Sequence, residues 1–152
     1  RARSDDELAA RVVPFLTKRG LSVTEDDPKL AAAVRTVKPR ANTLAEMADA
    51  LDYYFRHEPV VDAKAAEKFL TADAKHLLTE LATAMAHVEG FTEAHIQSAF
   101  EAWLATKNLE IKVVAQPARV ALTGRTASPG LYEVMAVLGR EATVARLRKA
   151  AA

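Results

Sequence analysis

Residues 71–90 read TADAKHLLTELATAMAHVEG. Leu77, Leu78, Leu81 and Met85 recur at helical spacing and not with the alternation of a strand. Thr71 stands where an N-cap hydroxyl belongs, and Glu89-Gly90 supplies a stop. The stretch predicts a helix from Thr71 to about Val88. The same punctuation recurs on both sides of it. Downstream, Thr92 caps a segment carrying Ile96, Phe100, Trp103 and Leu104 on one stripe. Upstream, Asp62 caps a short helix ending near Leu70, and Thr43-Leu44-Ala45-Glu46 is a capping box ahead of Met47, Leu51 and Tyr54. Asp27-Pro28 reads as N-cap then first helical residue, with Leu30, Ala33, Val34 and Val37 on one face. Pro39 stops that helix. Ser4-Asp5-Asp6-Glu7 opens the first helix, which carries Leu8, Val12 and Leu16 and ends at Gly20. Pro14 inside it predicts a kink or a restart.

The pattern changes after Leu109. Ile111, Val113 and Val114 favour a short strand by propensity, but a lone strand has no partner. The reading is an extended linker over 109–114, then a short helix starting at Pro117. Ser128-Pro129-Gly130 marks another N-cap and first turn, with a helix to Leu138-Gly139 and a last helix over Glu141–Lys149. The fold class is therefore all-α, with about eight short helices joined by short connections. Arg56–Val61 holds a proline and charges and lacks periodicity, so the expected division is 1–61 and 62–152.

Composition agrees and excludes several functions. Of 152 residues, 32 are Ala and five are Gly, which suits helices. There is no Cys, so disulfides, thiolate zinc sites and a Cys nucleophile are ruled out. No apolar run is long enough to span a membrane. The chain lacks a starting Met, and Arg1-Ala2-Arg3 is followed by no apolar signal segment, so it reads as a piece of something longer. His57, His76, His87 and His95 have no metal-type spacing, and none of the four Ser lies in GxSxG. No GxxxxGK[ST] or GxGxxG cradles a phosphate. The carboxylates cluster at helix starts, where capping accounts for them. No catalytic residue, metal site or resident cofactor is expected in this stretch.

The net charge of +1 argues against a non-specific polyelectrolyte binder. It is unevenly spread. Residues 1–61 carry 10 cations and 10 anions, residues 62–110 carry 4 and 8, and residues 111–152 carry 7 and 2. Arg146, Arg148 and Lys149 read as a basic last turn that suits the helix dipole. Arg119 and Arg125 do not; they flank Ala121-Leu122-Thr123-Gly124 just before a helix start, where free N–H groups suit an anion or a base edge. Arg35, Lys38 and Arg40 form a second group around Pro39. Each group read alone is more often a solvated surface than a site. Tyr53, Tyr54, Phe55 and Trp103 read as core residues before stacking platforms.

The longer motifs carry a resemblance. Gln116-Pro117-Ala118-Arg119-Val120-Ala121-Leu122-Thr123-Gly124, then Ser128-Pro129-Gly130-Leu131-Tyr132-Glu133-Val134 and Leu138-Gly139-Arg140-Glu141, resembles the C-terminal end of bacterial glutamyl-tRNA synthetases. Pro14-Phe15-Leu16, Gly20-Leu21 and Lys38-Pro39-Arg40-Ala41-Asn42-Thr43-Leu44 are similar to the same family's anticodon-binding region. Order and spacing match over nearly the whole chain.

The resemblance implies an α-helical cage of two small subdomains that grips the anticodon loop of glutamate tRNA. The parent enzyme would attach glutamate to that tRNA, with ATP and Mg²⁺ used by a catalytic domain whose HIGH and KMSKS-type signatures do not occur here. It also implies a cytoplasmic, monomeric protein with no membrane or DNA partner. By resemblance, Arg40 falls on the arginine that reads the third anticodon base, cytosine. Arg119 falls on the arginine that contacts the middle base, uracil. Ser128, Pro129, Gly130 and Leu131 fall on the turn around the first base. A further arginine used by some members aligns near Glu101, and its role does not carry over. The alternative reading is a helical protein–protein interaction domain without RNA binding; an enzyme complete in this stretch is a third.

Overall fold

The structure is a computed structural model describing residues 4–152. The chain divides into two compact units, the first ending at Pro59 and the second Val60–Ala152. Among the described residues all regular structure is helical.

The first unit contains α1 (Asp5–Lys18), α2 (Pro28–Val37), a 3₁₀ turn (Lys38–Arg40) and α3 (Leu44–Phe55). Their starts follow from the sequence. The Ser4 hydroxyl accepts from the Glu7 N–H at 3.1 Å, Asp27 accepts from Lys29, and Thr43 with Glu46 completes its capping box. Val12, Leu16, Leu30, Val34, Val37, Leu51 and Tyr54 are fully buried and form the core. The Tyr54 and Thr36 hydroxyls lie 2.8 Å apart inside it. Since Thr36 donates to the Ala33 carbonyl at 2.7 Å, Tyr54 supplies the proton between them. The predicted break at Pro14 does not occur as a restart: α1 runs continuously through it. The sole bond lost is the one to the carbonyl four residues back, and Val12 and Leu16, buried on either side, hold the helix together.

The second unit contains α4 (Ala63–Phe69), α5 (Ala72–Ala86), α6 (Glu93–Thr106), α7 (Lys112–Thr123) and α8 (Leu131–Ala151). Asp62, Thr71 and Thr92 cap the first three of these with their side chains. The unit is organised around α8, which packs on α5, α7 and α6. α8 is broken at Gly139, whose φ of 85° and ψ of 165° are not helical, so its two halves match the two helices expected there.

Two expectations are corrected. The stretch read as an extended linker with a helix from Pro117 is helical from Lys112, and Pro117 lies inside α7. The β-branched residues gave the wrong propensity, a deficit of about 0.7 kcal/mol or less per residue. Against it, Val114, Ala118, Val120 and Leu122 become fully buried, each large one contributing about 1.5–3 kcal/mol. Ser128 is not the N-cap of the last helix. That helix starts at Leu131 with Gly130 as N-cap, and the Glu133 carboxylate accepts from the Gly130 N–H at 2.9 Å.

Gly124 closes α7 in the left-handed region, at φ 79°. A Cβ there would also stand 2.1 Å from the Val60 carbonyl oxygen. The contact is tied by the Asp62 N–H, which donates to the Gly124 carbonyl at 2.9 Å. Only glycine satisfies both demands.

Candidate nucleic-acid interface

The first basic group separates by partner. Asp5, in the first turn of α1, accepts from Arg35 Nε at 3.1 Å and from Lys38 Nζ at 3.5 Å. Arg40 is exposed at the end of the 3₁₀ turn, and no hydrogen bond or ion pair joins its side chain to another described residue. The neighbouring residues Lys38, Ala41, Asn42, Thr43 and Leu44 line a groove of about 320 Å³ with Arg11 and Met47. The lining mixes apolar side chains (Leu8, Leu44, Met47) with polar and cationic ones (Asn42, Thr43, Arg11, Lys38).

Arg119 and the 128–131 turn belong to the second unit. Arg119 sits on α7 and is half-buried. Its Nε donates to the Ser128 hydroxyl at 2.8 Å, and its Nη1 donates to Gln116 Oε1 at 2.8 Å. The Ser128 hydroxyl in turn donates to the Pro129 carbonyl at 2.7 Å, and Gln116 Nε2 donates to the Thr126 carbonyl at 3.2 Å. The structure therefore brings Arg119 and Ser128 into direct contact. Within the turn, Pro129 and Leu131 are buried and Gly130 is exposed, so an approaching base would meet the Gly130 backbone and the edge of Ser128. The first turn of α8 already holds an anion of its own, because Glu133 takes the Gly130 N–H. The expectation of free N–H groups at this helix start is thus overturned at that position.

Much of the C-terminal basic surplus is internal. Arg146, expected to serve its own helix terminus, is 6% exposed and donates from Nη1 to the Leu122 carbonyl at 2.7 Å, closing the end of α7 instead. Arg140 donates to the carbonyls of Met85, Val88 and Gly90 around the end of α5 and lies 5.0 Å from the Phe91 ring centroid. Two of the seven cations thus complement helix C-termini.

The aromatics are core-type. Tyr53 and Tyr54 are buried against each other at 4.6 Å between centroids. Phe55 is half-buried with the Lys29 ammonium over its ring, and Trp103 meets Phe100 edge-on at 6.0 Å. Tyr132 meets the same Phe100 ring at 5.5 Å, and burial, with the Glu101 charge adding to it, pushes its phenol pKa up. Among the described residues no three His, Asp or Glu gather as a metal site, and no helix is long and apolar enough to cross a membrane.

Sequence reading passed over Gln116 as an individual side chain. Its signal was a polar pair three residues apart, which faces one way only if the helix reaches back beyond Pro117.

Comparison with known proteins follows the same geometry. A family model described as an anticodon binding domain matches residues 7–151. The glutamate–tRNA ligase of Geotalea uraniireducens is 45% identical over 145 residues, 95% of this chain and 31% of that one. The glutamate–tRNA ligase of Syntrophobacter fumaroxidans is 37% identical over 99% of this chain and 32% of its own length. A crystal structure of a glutamate tRNA ligase from Elizabethkingia meningosepticum superposes with a TM-score of 0.85 at 23% identity, covering 98% of this chain and 29% of that one. At that identity the last shows the shared fold. The chain spans about a third of the length of the curated relatives it matches.

Proposed function

Because the chain belongs to the anticodon binding domain family, we propose that it is the tRNA-reading part of a glutamate–tRNA ligase. On this reading it holds the anticodon loop of glutamate tRNA while a catalytic domain elsewhere in the parent protein, using ATP and Mg²⁺, attaches glutamate. This stretch by itself would not aminoacylate. The setting is cytoplasmic, and the working form is a monomer.

The observation that carries the reading is the sorting of the arginines. Arg35 and Lys38 share Asp5 as an ion-pair partner, whereas Arg40 stands exposed next in sequence to residues that line a groove. Arg119 is held by Ser128 and Gln116 next to the 128–131 turn. An interaction domain without RNA has no need of an arginine fixed in a plane beside that turn. Arg40 would donate to the O2 and N3 acceptors of cytosine at the third anticodon position. Guanine, which ends a glutamine anticodon, presents a different edge. Arg119 would meet the middle uracil, and the Gly130 backbone the first base.

Calorimetric titration of the chain with glutamate and glutamine tRNAs tests this. The parent is expected to prefer glutamate tRNA, and Arg40→Gln is expected to lose about 1–3 kcal/mol of that preference, the range of a bidentate base contact. Equal affinity of the parent for both tRNAs would remove the discriminating role. A folded chain that binds neither would favour the protein–protein reading.

A further inference from the structure

We propose that Gln116 is a positioning residue that orients Arg119 and ties it to the 128–131 turn, so that readings of the middle and first anticodon bases are coupled. The inference rests on the function proposed above.

The geometry is a closed chain of hydrogen bonds. It runs from the Thr126 carbonyl to Gln116 Nε2 at 3.2 Å, and from Gln116 Oε1 to Arg119 Nη1 at 2.8 Å. It continues from Arg119 Nε to the Ser128 hydroxyl at 2.8 Å and on to the Pro129 carbonyl at 2.7 Å. The backbone from Thr126 to Pro129 closes the ring. Every donor in it meets an acceptor. A flipped Gln116 amide would set its NH₂ against the guanidinium and its oxygen against the Thr126 carbonyl, so one orientation alone is allowed. A guanidinium held at both Nε and Nη1 cannot rotate about its last torsion, and its plane is fixed before any base arrives. Pro129 is buried, so the far end of the chain is anchored. The base-facing turn and the arginine therefore move as one body, joined through the α7 helix on which Gln116 and Arg119 sit one turn apart.

Two substitutions separate the links. Gln116→Leu removes both. Gln116→Glu keeps an acceptor for Arg119 and removes the donor to Thr126. The probes are anticodon stem-loop RNAs with uracil or cytosine at the middle position, and with a pyrimidine or a purine at the first. They are titrated into the chain, with folding of each variant followed by circular dichroism. Gln116→Leu is expected to lower middle-base selectivity about three- to tenfold, the effect of freeing one long side chain, and to lower first-base selectivity with it. Gln116→Glu is expected to restore the middle-base ratio while first-base selectivity stays low. If Gln116→Leu does not fold, the Gln116→Glu variant alone still carries the test, since it must split the two selectivities. Unchanged ratios, or equal weakening toward every RNA, would overturn the positioning role with the proposed function intact. A parent that distinguishes neither base would overturn both.

Discussion

Substitution of Gly124 by alanine separates two physical effects that other glycines isolate. At φ 79° an L-residue is strained, at about 1–2 kcal/mol. The new methyl would also stand 2.1 Å from the Val60 carbonyl oxygen, 2.8 Å from its carbon and 3.0 Å from the Val61 Cα. These are backbone atoms and cannot rotate away. Relief requires the Val60–Asp62 segment to withdraw, which breaks the 2.9 Å bond from the Asp62 N–H to the Gly124 carbonyl, a further ~0.5–1.5 kcal/mol. The expected loss for Gly124→Ala is about 1.5–3.5 kcal/mol. Gly20→Ala meets the strain alone, since φ is 82° with nothing within 4 Å, and should lose about 1–2 kcal/mol. Gly130→Ala meets neither, because its nearest contact is the movable Glu133 carboxylate at 3.2 Å, and should change stability by less than about 0.5 kcal/mol. Urea unfolding followed at 222 nm gives the three values, with an unchanged m-value marking a pure stability effect. Equal losses for Gly20→Ala and Gly124→Ala would refute the argument, because the Val60 contact would then add nothing.

Two further outcomes rest on buried charge. Burial pushes the Asp52 carboxyl pKa up, but hydrogen bonds and charge from Arg56 and Arg19 (Nε to Oδ2 at 2.8 Å) outweigh it and hold the pKa below 3.8. A lowered folded pKa gives stability that is present above pH 3.8 and lost as pH falls through the folded value. Asp52→Asn should therefore cost about 1–3 kcal/mol at pH 7, and urea titrations below pH 3.8 should show that gap narrowing. A gap independent of pH would contradict the ion-pair account. Arg140→Met should lower stability by about 1–3 kcal/mol by stripping donors from the carbonyls that end α5. Arg140→Lys should recover only part of that, because one ammonium cannot reproduce the fork, and thermal melts of the two variants give the comparison.

The helices that announce themselves chemically were legible. The side-chain oxygens of Ser4, Asp27, Thr43, Asp62, Thr71 and Thr92 each accept from a backbone N–H at a helix start, and among the described residues six of the eight α-helices begin where those residues stand. The two that begin elsewhere lack that signal. Ile111 precedes α7 without a side-chain cap, and Gly130 precedes α8 with only the reciprocal bond from its N–H to Glu133. In both, a proline drew the predicted start to itself, whereas burial of Val114, Val120 and Leu131 set the real limits. On the site, the residue types were visible but their partners were not. Asp5 is 30 residues from Arg35, and Leu122 is 24 from Arg146, so which cation is neutralised depends on packing alone. Gln116 was hidden for the same reason, since its face exists only once α7 reaches back past Pro117.

The sorting of charge also decides what kind of recognition the chain supports. A broad positive field attracts any phosphate backbone and loses force with salt, without choosing a sequence. Residues 111–152 carry 7 cations against 2 anions. Arg140 and Arg146 instead face the carbonyl ends of α5 and α7, each equivalent to about half a negative charge. Lys112 pairs with Glu110 at 3.2 Å, and in the first unit Asp5 offsets one of the two charges of Arg35 and Lys38. Of the two arginines at the proposed site, Arg119 is held in direction by Ser128 and Gln116, whereas Arg40 is exposed. Direction is what distinguishes one base edge from another, whereas summed charge is what sets affinity. On the proposed reading such donors serve base selection, and the chain spans about a third of the length of the relatives it matches.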